Sequence, residues 1–461
     1  MKRREFIRNS ATAMGGLMAA MHAPVAQALS SDSNVILIIL EDVNDWVGCL
    51  GGHPDARTPH IDSLAERGQL FTNAHVSAPI CVPSRTSFLS GLRPSTTGVY
   101  DNPDPWEDRI SSLATLPGYL RSFGYRTYQG GKIFHGGYPT VWDDGFAHRD
   151  DPINPRNPAS GLPNPSTSLL DFQPMDIREE QTYDYQVTDW AIDRIRKHPA
   201  DQPYFLAINY YRAHLPWYVP RQYYEQFDPA TISLPPVNPD DLDDVPLGGR
   251  NLIRAALDKK IERYQQRRTA ISAYLSGMYF VDAMLGRLLT NLNDEIFDDN
   301  TIIMLCSDHG FHLGEKGHWR KSTLWEDSTH VPLIVIAPGV TTPGSVCAEP
   351  VSLLDMYPTI NGLTGLHCPP YLEGMDLTSW LHNPDLPRDI PALTTFRPGN
   401  HAVRTRRWRY IRYADGTEEL YDHDSDPHEW TNLAGQAQYR DLMDELGQWM
   451  PDDGPQADAR G

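Results

Sequence analysis

Four continuous apolar runs constrain the fold of this chain more than any other feature. They are Val35-Ile36-Leu37-Ile38-Ile39-Leu40, Tyr204-Phe205-Leu206-Ala207-Ile208, Thr301-Ile302-Ile303-Met304-Leu305-Cys306 and Leu333-Ile334-Val335-Ile336-Ala337. A strand with one wet face alternates apolar and polar residues, whereas an unbroken apolar run needs cover on both faces. Helical patterns lie between the runs. Ile61 to Arg67 is ended by Gly68, and Ser112 to Phe123 by Gly124. From Lys259 to Leu292, Ile261, Tyr264, Ile271, Tyr274, Met278, Val281, Leu285 and Leu288 recur at helical steps. Strands alternating with helices predict an α/β fold, a mostly parallel sheet sandwiched by helices.

Two stretches, 136–176 and 228–250, are dense in Pro, Asn, Asp and Gly. Loops that long wall a substrate pocket or make plain surface excursions, and both readings stand. The periodicity changes near Asn383-Pro384-Asp385-Leu386-Pro387. Beyond it, Ala402 to Arg404, Trp408 to Tyr413 and Glu419 to Tyr421 predict short antiparallel strands around an Asp415-Gly416 turn. The chain has no internal repeats.

The net charge is −20, and it becomes more negative without the basic N-terminus, which argues against nucleic acid or an anionic membrane as partner. An anionic substrate then needs a local cationic pocket, which Arg85, Lys132, Arg320 and Lys321 can supply. The five cysteines show no metal-type spacing. Cys49 and Cys306 flank apolar runs as small core residues; Cys347 and Cys368 either pair or stay apart. Lys2-Arg3-Arg4-Glu5-Phe6-Ile7-Arg8 resembles a twin-arginine export motif, followed by a mild apolar stretch and a small-x-small Ala26-Gln27-Ala28. This reads as a signal peptide over residues 1–28 of a periplasmic or secreted bacterial protein; the alternative is a basic tail. No further segment is long and apolar enough to span a membrane.

The chemistry centres on Ala78-Pro79-Ile80-Cys81-Val82-Pro83-Ser84-Arg85-Thr86, closed by Leu89-Ser90-Gly91-Leu92-Arg93-Pro94. Cys81 stands just ahead of a helix start at Pro83-Ser84, where free N–H groups and the dipole favour negative charge. Arg85 adds a fixed cation suited to oxyanions. Glu41-Asp42 and Asp308-His309 directly follow buried strands. Carboxylates converging at strand ends repel unless a hard divalent cation with oxygen ligands neutralises them.

The Cys-x-Pro-Ser-Arg run resembles the signature of the formylglycine-dependent sulfatases. Gly131-Lys132-Ile133-Phe134-His135, Tyr211-Arg212-Ala213-His214-Leu215-Pro216, Asp308-His309-Gly310 and His318-Trp319-Arg320-Lys321 follow in the order of that family, most like its iduronate-2-sulfatase branch. Tyr421 to Glu429 with Asn432-Leu433-Ala434 resembles its C-terminal signature. The resemblance implies an alkaline-phosphatase-like fold, with a catalytic domain over 29–384 and an α+β subdomain over 385–461 carrying a short antiparallel sheet. It implies formylglycine made from Cys81 by a formylglycine-generating enzyme before export. It also implies a calcium ion held by Glu41, Asp42, Asp308, His309 and residue 81, with Glu41 replacing the family's usual Asp. Asp308 is then the base for the nucleophile, and Lys132 and Lys321 hold sulfuryl oxygens. His214 protonates the leaving alcohol, and His135 removes the second hydroxyl proton. The implied substrate is a sulfated carbohydrate cleaved by exo action, with a 2-O-sulfated uronic acid one candidate. Trp217 and Trp319 are candidates to pack on a sugar ring, and Arg320, His401, Arg404 and Arg406 to meet its polar groups. A phosphonate or phosphodiester hydrolase of the same superfamily is the alternative, and a catalytically dead carbohydrate-binding protein a further one.

Overall fold

The computed structural model describes residues 32–135, 140–147, 170–253 and 255–452. The leader and most of the 136–176 loop lie outside these residues. The four apolar runs all form strands of one eight-stranded sheet. Its strands are β1 (Asn34–Leu40), β2 (Gln69–Phe71), β3 (Arg126–Gly131), β4 (Asp144–Ala147), β5 (Tyr204–Tyr210), β6 (Thr301–Ser307), β7 (Leu333–Ile336) and β8 (Ser345–Cys347). Across the sheet they run β8-β2-β7-β6-β1-β5-β3-β4. From β6 to β4 every neighbour is parallel. β7 alone is reversed, against β6 and β2, while β8 runs parallel to β2.

Both faces of this sheet are covered, as unbroken apolar runs require. In β1, Ile36, Ile38 and Leu40 face one core with Ile61, Leu64, Val187, Ala191 and the long helix Arg267–Asn291. Val35, Leu37 and Ile39 face the other, with Val82, Phe88 and Leu89 of the helix Cys81–Ser90 and Ile360 and Leu363 of Met356–Thr364. Each residue from Val35 to Leu40 is at most 1% exposed. Burying one such side chain contributes about 1.5–3 kcal/mol, so the middle strand anchors both layers.

Several sequence expectations change in detail. The pattern from Lys259 to Leu292 is two helices, Ala255–Arg263 and Arg267–Asn291. Gln265 between them takes a left-handed φ of 53°, which stops the first helix although the apolar spacing runs on. The 112–123 segment splits into a 3-10 turn, Ser112–Ala114, and a helix, Leu116–Ser122. Cys347 and Cys368 are free thiols, as are the other three cysteines, so no disulfide joins them.

The C-terminal antiparallel sheet has four strands: β9 (Ala392–Thr395), β10 (His401–Arg404), β11 (Trp408–Arg412) and β12 (Glu418–Asp422). The first was not anticipated from the sequence. Gly416, at φ 81°, makes the expected Asp415-Gly416 turn. One face packs with Met443 and Leu446 of the helix Arg440–Gly447. The other packs Ala402, Ile411 and Tyr421 with Trp325 and Ile80. The small sheet therefore buttresses the residue immediately before Cys81.

Candidate active site

Parallel pairing places Leu40 level with Ser307 and with Tyr210, so the chain leaves three central strands at one edge. Glu41 and Asp42 follow β1, Asp308 and His309 follow β6, and Lys132 follows β3 there, as ligand sites in open α/β sheets do. Gly131 turns the chain into Lys132 at φ 92°, and a Cβ there would lie 2.7 Å from the Asn209 carbonyl oxygen. Asp42 also has a left-handed backbone, φ 61°, a conformation Asp tolerates and functional sites use.

The helix carrying Cys81 starts two residues earlier than the Pro83 signal suggested. Cys81 is its first residue, after an extended Ile80, and the Val82 N–H is met by Asn102 Oδ1 at 3.0 Å. All ten residues of this helix are buried, which fixes the thiol rigidly. Cys81 Sγ lies 3.1 Å from Lys321 Nζ and 3.2 Å from His309 Nε2. Burial opposes a thiolate, yet the charges of Lys321, then Lys132 and His309, hold the Cys81 pKa well below its ordinary value.

Each cation is matched by a carboxylate. Lys321 donates to Asp42 Oδ1 at 2.7 Å, Lys132 donates to Glu41 Oε1, and Arg85 Nε donates to Asp308 Oδ2 at 2.9 Å. Burial would raise the Glu41 carboxyl, but Lys132, His214 and Arg85 outweigh it and keep Glu41 ionised. Lys321 is kept protonated against burial chiefly by Asp42. His309 is raised against burial chiefly by Asp308. Asp308 is held from three sides, because Asp42 N–H donates to its Oδ1 at 3.1 Å and Ser84 Oγ donates to its carbonyl at 2.5 Å. His214 Nε2 is 3.9 Å from Asp42 Oδ2, and its Nδ1 meets the Leu215 carbonyl at 2.6 Å. The side chains of Lys132, His214 and Lys321 are 10–15% exposed while Glu41, Asp42, Arg85, Asp308 and His309 show at most 1%. The former group forms the mouth and the latter the floor. His135 is half-buried in the same field. Burial, then Lys132, lowers it to about 4, so its imidazole is neutral at ordinary pH.

The floor fits a hard divalent cation. Glu41, Asp42 and Asp308 bring buried carboxylates together, and Asp42 Oδ2 has no hydrogen-bond partner. Cys81 with Asp42 and His309, and with Glu41 and His214, brings metal-binding atoms within 4.8 Å of one another. The floor also holds a residue the sequence reading missed. Asn209 accepts from Arg85 Nη2 at 2.8 Å and donates to Glu41 Oε2 at 3.5 Å. A lone amide near the C-terminal end of an otherwise apolar strand was the available signal.

Four expected sugar contacts are not at this mouth. Trp217 is 0% and Trp319 1% exposed, inside the main core, so neither stacks on a sugar. Trp217 Nε1 donates to the Ala213 carbonyl at 2.7 Å and its ring packs on Phe172, Tyr274 and Phe311. Sequence neighbourhood to His214 and Lys321 did not translate into a shared surface. His401 is buried against Thr395 Oγ1 at 3.0 Å, and Arg404 Nε pairs with Glu326 Oε2 at 3.1 Å. Arg406 is exposed and faces Glu349 at 3.6 Å. Arg320 is half-buried next to Lys321.

The sulfatase family matches residues 33–366, and the family described as N-sulphoglucosamine sulphohydrolase, C-terminal, matches residues 314–453. A sulfatase of Formosa agariphila is 35% identical, over 91% of this chain and 86% of that protein. The chain belongs to the sulfatase family. It is a sulfuric ester hydrolase of the formylglycine-dependent type I family. Human iduronate 2-sulfatase is 28% identical to this sulfatase, over 91% of this chain and 94% of that protein. Among solved structures, a phosphonate monoester hydrolase from Silicibacter pomeroyi superposes with a TM-score of 0.76 at 23% identity, covering 90% of this chain and 94% of that one. The sulfatase thus has the alkaline-phosphatase-like fold, which hydrolases of different esters share. Among the described residues no helix is long and apolar enough to cross a membrane.

Proposed function

We propose that this sulfatase removes a sulfate ester from the end of a sulfated carbohydrate, with a 2-O-sulfated uronic acid as first candidate. The likeness to iduronate 2-sulfatase over nearly the whole chain supports the sugar class. The observation that carries the mechanism is the position of Cys81 Sγ between Lys321 Nζ and His309 Nε2 in a buried cationic cradle. The field that favours a thiolate there also favours sulfuryl oxygens.

Residue 81 works as formylglycine, made from the cysteine by a generating enzyme, and its hydrated aldehyde supplies an oxygen nucleophile plus a second hydroxyl. Glu41, Asp42, Asp308 and His309, with residue 81, would hold a calcium ion, which when bound would supply positive charge to the site. Asp308, oriented by Arg85 and Ser84, takes the proton of the attacking hydroxyl. Lys132 and Lys321 bind the sulfuryl oxygens as the bond from sulfur to the alcohol oxygen breaks. His214, at the mouth, gives that oxygen a proton. His135, neutral, then takes the proton of the second hydroxyl as sulfate leaves. Arg320 remains a candidate contact to the sugar. We divide the chain into a signal peptide (1–28), a catalytic domain (29–384) and a C-terminal subdomain (385–461). Twin-arginine export of a folded, modified enzyme to the periplasm or beyond completes the proposal.

Mass spectrometry of the residue-81 peptide, after co-expression with a formylglycine-generating enzyme, tests the modification. An aldehyde is expected, and an unchanged thiol in a protein that releases sulfate at full rate contradicts the assignment. Turnover of 2-O-sulfated uronic acid disaccharides beside an aryl phosphodiester tests the substrate. Faster phosphodiester cleavage overturns the carbohydrate reading.

A further inference from the structure

A second group of metal-binding side chains stands beyond the reactive centre, with His312 and Glu315 on the loop that ends in Lys321 and Asp327 on the short helix Glu326–Thr329. The ligand atoms of His312, Glu315 and Asp327 lie within 4.8 Å of one another. His312 is 0% exposed. Its Nε2 is 2.8 Å from Thr323 Oγ1, whose hydroxyl donates onward to Ser328 Oγ at 2.8 Å. Thr323 must therefore accept from the histidine, which puts the ring proton on Nε2 and leaves Nδ1 a bare lone pair. Nδ1 has no hydrogen-bond partner, and Asp327 Oδ2 lies 3.4 Å away. Two acceptors face each other in a buried space, an arrangement that costs free energy unless a cation or proton joins them.

The surroundings add negative charge. Glu315 accepts the Leu313 N–H at 2.6 Å through one oxygen. Burial first, with Asp45 adding to it and Arg267 opposing, pushes Glu315 up to about 7. Burial, then Glu315 and Asp45, raises Asp327 well above its ordinary value. Of the nearby cations, Lys316 pairs with Asp241 at 2.8 Å and Arg404 and Arg409 pair with Glu326, while Arg267 bears on Glu315 and only partly offsets the burial of that carboxyl.

We propose that His312, Glu315 and Asp327 bind a divalent first-row transition ion, with zinc as the probe, at a site separate from the reactive centre. One imidazole nitrogen and two carboxylate oxygens suit zinc better than calcium or magnesium, and leave room for water. The Thr323 bond to the other ring nitrogen is the outer partner that metal-binding histidines use. The Asp327 side chain is 29% exposed, which gives the ion a way in. The site would brace the loop it sits on, where His312 N–H donates to the Arg320 carbonyl and Gly314 N–H to the His318 carbonyl, each at 2.9 Å. That loop begins at Asp308-His309 and ends at Lys321.

The test loads chelator-stripped enzyme with zinc and measures bound metal by mass spectrometry and affinity by calorimetry. Wild type and Asp42→Asn are expected to retain a zinc equivalent that His312→Gln and Asp327→Asn lack. Thr323→Val is expected to weaken zinc about 10- to 100-fold. Zinc is expected to raise the thermal midpoint of wild type but not of Asp327→Asn, with circular dichroism confirming that each variant is folded. Equal zinc in wild type and both ligand variants, or none retained by any, overturns the proposal and leaves a proton shared between Asp327 and His312 Nδ1. Loss of zinc in Asp42→Asn but not in the ligand variants assigns the ion to the reactive centre and overturns it equally.

Discussion

Two buried ionic clusters use the same residue types to different ends. Around Cys81, Lys132, Lys321 and Arg85 are matched by Glu41, Asp42 and Asp308, but a sulfur and an unpartnered carboxylate oxygen remain. Where the C-terminal sheet meets the main body, Arg409 pairs with Glu326 and with Glu429 at 2.5 Å, and His423 sits 3.0 Å from Glu429. Arg409 Nη1 also donates to the Leu324 carbonyl at 2.9 Å, and Arg404 donates to the carbonyls of Thr405 and Arg406. The second cluster closes on itself. The first keeps an open mouth, so its cations remain available to an incoming anion. A buried charge cluster signals chemistry when a reactive atom stands inside it, and cohesion when none does.

Breaking each cluster separates these roles. Arg409→Met removes the buried cation that Glu326 and Glu429 share, leaving Arg404 and His423 beside them, and chemical denaturation is expected to show a loss of about 3–5 kcal/mol. The fraction that stays folded keeps its kcat. Lys321→Met is expected to lower kcat about 10²- to 10³-fold in steady-state sulfate release, with a smaller change in denaturation midpoint than Arg409→Met. A larger loss of stability from Lys321→Met than from Arg409→Met would reverse the comparison.

The pH dependence of His135 sharpens it further. Its folded-state pKa lies near 4, below the ordinary value of about 6.5. Between these values the unfolded chain binds a proton that the folded protein refuses, so His135 costs stability as pH falls through that window. As a base it stays competent down to about 4. Because it acts after the alcohol has left, the acid limb that it controls belongs to kcat; that limb is expected near 4 and is lost in His135→Gln, and a limb near 6.5 contradicts the placement. Arg406→Ala, at an exposed ion pair, is expected to change stability by less than about 0.5 kcal/mol and leave KM unchanged.

The strands were readable because a run such as Val35 to Leu40 has only one comfortable environment, a sheet covered on both faces. The helix break at Gln265 was not, since neither Gly nor Pro marks it and Ile261 and Ile271 keep the spacing. Strand Ala392–Thr395 is four residues long and carries its meaning in its partner, His401–Arg404. Within the site, groups leaving strand ends were legible because parallel strands deliver their ends to one edge. Asn209 was hidden inside an apolar run. Trp217 and Trp319 were misplaced because adjacency along a loop does not fix which side chain turns inward.

Sulfate release by wild type and Cys81→Ser, both co-expressed with a formylglycine-generating enzyme, tests the central claim most directly. The account predicts a fall of at least about 10³-fold in kcat in Cys81→Ser, with an unchanged circular dichroism spectrum and calcium content. A Cys81→Ser protein that releases sulfate at the wild-type rate would contradict it.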